Sequence, residues 1–262
     1  MSLLARLFGL LAPRREAAAP AVRTAAPIAS APAAAMPAAP MPVAAAAPPP
    51  SPAILQPSPP VVPGLDRWTI ADHRLVSAAF DASPFVGGVI APRFIVMHYT
   101  AGGTAANSVR AIRERGLSAH FFVDRDGAVI QTAPCNREAY HVGESAWRGV
   151  RGLNRHSIGI EVSNLGWFDQ RQGDDWVRDG LSRAMRPGQV LVARHKSGGK
   201  VMAWELYPEP QLLALERLTQ AILRAYPAVE DVVGHDDVSP GRKVDPGPAF
   251  PLARYRAMLA IR

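Results

Sequence analysis

The chain has 262 residues, 48% of them hydrophobic, with 26 prolines, 1 cysteine and a formal net charge of +7. The lone cysteine, Cys135, excludes an internal disulfide framework and a cysteine-built zinc cluster. The positive balance suits an anionic partner such as a membrane surface or an acidic wall polymer. The sequence carries no helix-turn-helix or RNA-binding signature, so no nucleic-acid partner is expected.

Residues 1–16 form a short apolar and basic segment, in which the run from Leu7 to Ala12 is flanked by Arg6, Arg14 and Arg15. That run is shorter than a usual signal-peptide core, and weak contact with a membrane surface or another protein fits it equally. No stretch is long enough to span a bilayer. Residues 17–64 are almost wholly Ala and Pro, with no charge between Thr24 and Leu65. Such a segment buries little and reads as a disordered, extended linker. One domain, residues 65–262, remains, large enough for a single core.

Within it, 65–88 reads as a strap. Phe94 to Tyr99 is a short apolar run between Pro92 and Gly102, the pattern of a buried strand, and it puts His98 near the strand's C-terminal end. Thr104 is the expected N-cap of a helix that carries Ala105, Val109 and Ile112 and stops at Gly116. His120 to Val123, the turn Asp124 to Gly127 and Ala128 to Ile130 read as a hairpin. Ser157 to Val162 reads as a strand with a carboxylate, Glu161, among β-branched residues. Residues 168–207, with a short strand around Gln189 to Ala193, read as a variable insertion beside a substrate groove. From Glu209 a helix is expected with Leu212, Leu215, Leu218, Ile222 and Ala225 as its buried stripe. Asp231 to Val233 would be a strand delivering His235, and Leu252 to Ile261 a closing helix. The alternation predicts an α+β domain, with a mixed central sheet flanked by helices.

Between Gly234 and Pro248 the prolines and glycines exclude regular helix or strand, so a stiff loop is expected there. It carries His235 and Asp245, and with His98 they make the three protein ligands that a catalytic zinc takes. From the residues alone, three packed side chains remain the alternative. For Glu161 the alternative is an ion pair with an arginine at the sheet edge, and for Lys243 a solvated loop charge.

Five pieces occur in order: Ile95 to Thr100, Ser118 to Phe121, His141-Val142-Gly143, Ser157 to Glu161, and Gly234 to Pro248. In combination they resemble the zinc-dependent N-acetylmuramoyl-L-alanine amidase family, which includes muropeptide-recycling amidases, T7-type lysozyme and peptidoglycan recognition proteins. The resemblance covers about residues 90–165 and 209–260. It implies zinc on His98, His235 and Asp245, with Glu161 and Lys243 as catalytic residues. It places His141, Tyr99 and Asn164 at the substrate, and Trp147 and Asn154 near the groove, although packing explains Trp147 as well. His120 is assigned to the core or to support of a ligand, and His73, His156 and His195 receive no role. The implied substrate is peptidoglycan or a muropeptide, cut between N-acetylmuramic acid and L-alanine by a protein expected to be monomeric and to act in the cell envelope. A wall-binding module without activity, a cytoplasmic recycling amidase and a phage-type endolysin are the rival readings.

Overall fold

The computed structural model describes residues 68–261. The apolar and basic N-terminus and the Ala/Pro linker lie outside these residues.

A six-stranded mixed sheet is the frame. In chain order its strands are β1 (Ala79–Phe80), β2 (Phe94–Tyr99), β3 (Phe121–Val123), β4 (Val129–Gln131), β5 (Ser157–Val162) and, after an excursion, β9 (Asp231–Gly234). Their spatial order is β9-β2-β5-β3-β4-β1. Strand β2 is parallel to β9 and β5, β5 is parallel to β3, and β3 and β4 form the antiparallel hairpin expected around Asp126-Gly127. Between β2 and β3 in the chain lies α1 (Ala105–Glu114), where the Thr104 side chain accepts from the Asn107 backbone N–H as an N-cap. The helix gives way to Gly116 at φ 69°, a conformation glycine adopts without strain.

Alternation along the strands sorts the two faces. In β5, Ile158, Ile160 and Val162 point into the main core, where they meet Ile95 and Met97 of β2 and the apolar side of α2 (Glu209–Ala225). The opposite face of β5 presents Ser157, Gly159 and Glu161, and that of β2 presents Phe94, Val96 and His98. One register pair sets Glu161 directly beside His98. This second face is where polar groups can gather without disturbing the main core.

Three expectations need correction. The helix α2 buries Leu215, Leu218 and Ile222, but Ala225 is exposed, because the helix ends there and its last turn has left the core. The stretch after Gly234 is not wholly irregular: a four-residue helix, α3 (His235–Val238), forms before the first proline of the loop. The closing helix is split into α4 (Leu252–Arg256) and a tighter 3-10 turn over Ala257–Ala260. The 65–88 strap also proves rich in short strands, since β1 joins the central sheet and Val86–Val89 pairs with Arg137–Ala139.

The insertion builds its own three-stranded antiparallel sheet from β6 (Trp167–Phe168), β7 (Val190–His195) and β8 (Gly198–Glu205), in the order β6-β8-β7. It has a separate small core of Leu165, Phe168, Met185, Val190 and Ala203.

Leu218 is fully buried against the sheet, so Leu218→Ala is expected to cost about 2–5 kcal/mol, through lost burial and a residual cavity. Ala225→Ser should stay within about 0.5 kcal/mol. Denaturant unfolding of the two variants measures the difference.

Candidate metal centre

His98, near the end of β2, His235, at the start of α3, and Asp245, in the following loop, are all buried and converge on one point. The Nδ1 atoms of His98 and His235 are 2.9 Å apart, and they lie 3.1 and 3.0 Å from Asp245 Oδ2. Tetrahedral zinc, with bonds of about 2.0–2.1 Å, sets its ligand atoms roughly 3.3 Å apart, so this triangle is of the right size.

The hydrogen-bond partners on the far side of each ring determine which nitrogen carries the proton. The Leu153 carbonyl can only accept, so Ser157 Oγ–H donates to it at 2.6 Å. Ser157 Oγ then accepts from His141 Nε2–H at 3.3 Å, and His141 Nδ1 accepts from His98 Nε2–H at 3.0 Å. The chain of donors leaves His98 Nδ1 as a bare lone pair. His235 is fixed in the same way, because its Nε2–H donates to the Val142 carbonyl at 3.1 Å. Two imidazole lone pairs and a carboxylate oxygen therefore face one another with no hydrogen between them, an arrangement that a cation satisfies.

The electrostatics agree. Burial, reinforced by the neighbouring His235, pushes His98 down to about 4 although Asp245 pulls the other way, so at neutral pH the ring is uncharged. Burial also acts to raise Asp245, but the neighbouring His235 and His98 outweigh it and hold the carboxyl well below its usual range. His141 is pushed well down by burial and by the histidines around it, in keeping with a neutral relay. A carboxylate at Asp245 and an uncharged ring at His98 are what a divalent ion requires of these two groups.

Glu161 stands next to His98 in the sheet. Burial, with a further push from Asp245, raises its carboxyl to about 8, and Lys243 opposes the shift. No arginine pairs with it among the described residues, and β5 is an interior strand rather than a sheet edge. The Lys243 charge also acts on His98, so the ammonium stands near the centre.

The three residues expected at the substrate have contacts within the protein. His141 has both ring nitrogens committed, to His98 and to Ser157, and supports His98. Its ring lies over Gly159, where a Cβ would come within 2.5 Å of it, so glycine is required at that position. Asn164 is buried, donating to the Glu205 carbonyl and accepting from Gly166 N–H, which leaves its amide no free end. Tyr99 packs over Gly166, and burial raises its phenol. Asn154 holds the backbone N–H groups of His141 and Val142, and Trp147 donates to Asp231. His120 is fully buried between Gly159 N–H and the Arg137 carbonyl, with burial pushing it down to about 4.

Sequence reasoning overlooked Arg242, whose guanidinium donates to the carbonyls of Val142 and Glu144 and to Ser239 Oγ, tying the loop to the strand-end segment before β5. An arginine in a Pro/Gly-rich loop carries no spacing that would mark it. Ser157 was likewise read only as a strand residue.

Comparison with known proteins bears on the same residues. Residues 89–248 match the protein family described as N-acetylmuramoyl-L-alanine amidase, a span that contains the whole cluster. The 1,6-anhydro-N-acetylmuramyl-L-alanine amidase AmpD of Salmonella typhimurium is 30% identical over 146 residues, which is 55% of this chain and 58% of that protein. The N-acetylmuramoyl-L-alanine amidase AmiD of Escherichia coli is 32% identical over 167 residues, 61% of this chain and 50% of that protein. The match therefore spans about half the length of these curated relatives. The crystal structure of a selenomethionine AmpD derivative shares the fold, with a TM-score of 0.53 and 24% identity over 72% of this chain and 98% of that one.

In metal-free protein the raised Glu161 carboxyl has a signed consequence. The unfolded chain loses this proton near 4.5, whereas the folded protein keeps it to about 8, so the group destabilises the fold progressively as pH rises from 4.5 to 8. Glu161→Gln should raise the melting temperature of the metal-free protein at pH 8 and leave it nearly unchanged at pH 4.5, as read by calorimetry.

Proposed function

The chain belongs to the N-acetylmuramoyl-L-alanine amidase family, and from that premise we propose that it is a zinc-dependent amidase. The bond cut joins the lactyl group of N-acetylmuramic acid to the L-alanine of the stem peptide. The observation that carries this reading is the triangle of bare acceptors on His98, His235 and Asp245 with an ionisable carboxyl, Glu161, at its side.

When bound there, zinc supplies Lewis acidity, which activates water near neutral pH and polarises the scissile carbonyl. Glu161 is placed to accept the proton lost by the attacking water and to return it to the leaving amine. A carboxyl lifted toward neutrality serves both directions of that transfer. Lys243, two residues from Asp245, presents a positive charge to the oxygen that becomes negative as the carbonyl is attacked. Such stabilisation is commonly worth about 3 kcal/mol. His141, Ser157 and Asn154 keep His98 in one tautomer and one orientation. The names of the relatives point to both 1,6-anhydro-N-acetylmuramyl and N-acetylmuramoyl forms of the substrate.

Free stem peptide released from purified peptidoglycan and from soluble anhydro-muropeptides, measured by liquid chromatography, tests the assignment. Zinc-loaded protein should release it, chelation should stop release, and added zinc should restore it. Asp245→Ala should reduce release at least about 10³-fold while sedimentation with peptidoglycan persists, which separates an enzyme from a binding module. Lys243→Met should lower kcat by about 10²–10³. Zinc-loaded protein that releases no peptide from either substrate overturns the assignment.

A further inference from the structure

The insertion, read from sequence as the border of a groove, has its inner end against the metal loop. His195, buried at the end of β7, donates from Nε2 to Asp236 Oδ2 at 2.9 Å, and its Nδ1 accepts from Ser197 N–H, which fixes the tautomer. Lys196 adds a contact to the other Asp236 oxygen at 2.8 Å. Asp236 directly follows the ligand His235, and its own backbone N–H donates to the carbonyl of the ligand Asp245 at 2.8 Å. One residue thus ties the two loop ligands together, and the insertion holds that residue.

A second pair of contacts falls on the far side of Asp245. Tyr207, just past β8, donates its hydroxyl to the Pro246 carbonyl at 2.8 Å. The Trp204 ring lies under Gly247, where a Cβ would stand 2.6 Å from the ring. Trp204 and Tyr207 are both buried, and the strand that carries them is anchored in turn by Glu205, which takes two hydrogen bonds from Arg125 at 2.6 and 3.0 Å.

We propose that the 168–207 insertion positions the metal ligands, gripping the residues that follow His235 and Asp245 through His195, Lys196, Trp204 and Tyr207. The physical need is specific. Three acceptors about 3 Å apart repel one another before an ion arrives, and a loop held only on the flank of Arg242 and Ser239 would relax outward. The insertion opposes that relaxation, so the ion meets ligands already in place and less of its binding energy is spent on ordering them. His195 and Tyr207 are positioning residues here, since neither touches the ion position. The proposal rests on the metal-centre reading and is independent of which bond the enzyme cuts.

Zinc affinity of the full chain, measured by competition with a chromophoric chelator, tests it directly. His195→Ala should weaken zinc binding by about 10- to 100-fold. His195→Gln, whose amide nitrogen can reach Asp236 much as Nε2 does, should recover most of the loss. Tyr207→Phe, which removes one hydrogen bond and keeps the ring, should weaken binding by about 2- to 12-fold. If His195→Ala does not fold, the other two variants carry the test. A role confined to packing would lower the melting temperature of the metal-free variants and leave the zinc constant unchanged, and that result overturns the proposal. Wild-type protein that fails to hold zinc overturns the metal centre and this inference together. Zinc held without peptide release overturns only the amidase assignment.

Discussion

Two imidazole lone pairs and a carboxylate oxygen forced to within about 3 Å of one another are the constraint around which this domain is arranged. Each must be delivered unprotonated, and for the two imidazoles a bond made on the ring's other side ensures it. His98 is fixed by a relay that ends on a carbonyl, and His235 by the Val142 carbonyl directly. Carbonyls cannot donate, so the proton positions follow from the backbone itself. The tautomers are properties of the fold, settled before any ion is considered.

Strand β5 shows how little sequence this requires. Its hidden face, Ile158, Ile160 and Val162, is ordinary core. The other face changes chemistry at every second residue, which along a strand is about 7 Å. Ser157 terminates the relay, Gly159 yields the space that the His141 ring occupies, and Glu161 reaches the centre beside His98. A side chain at 159 would expel His141, release His98 from its orientation and so reach the centre without touching it.

The elements legible in the sequence were those with a local signal. The apolar run of β2, the cap at Thr104, the hairpin at Asp126-Gly127 and the stripe of α2 all follow from neighbours a few residues apart. The sheet order and the register that pairs Glu161 with His98 are long-range and leave no such trace. The proposed ligand set comes from family resemblance more than from pattern, since its members are scattered over 98, 235 and 245. That His141 and Asn164 direct their hydrogen bonds to the protein is not visible in the sequence. A polar residue near a cleft looks the same in sequence whether its hydrogen bonds go to substrate or to the protein. The insertion was the least legible part, because His195 and Asp236 are 41 positions apart and each alone resembles a surface residue.

The insertion and the loop also bear on how the centre trades stability for affinity. Anything that binds the folded state alone stabilises it by mass action, and an ion that relieves the repulsion among three acceptors does so strongly. In its absence the same repulsion is borne by the contacts around it: Arg242 on one flank, His195, Lys196 and Tyr207 on the other. Loosening either flank would ease the metal-free protein at the ligand loop while making the ligands harder to assemble. Tightening both stores more of the repulsion in the fold and returns it as affinity. A small separate sheet with its own core can bear that load because its packing, around Phe168, Met185 and Ala203, does not depend on the loop it restrains.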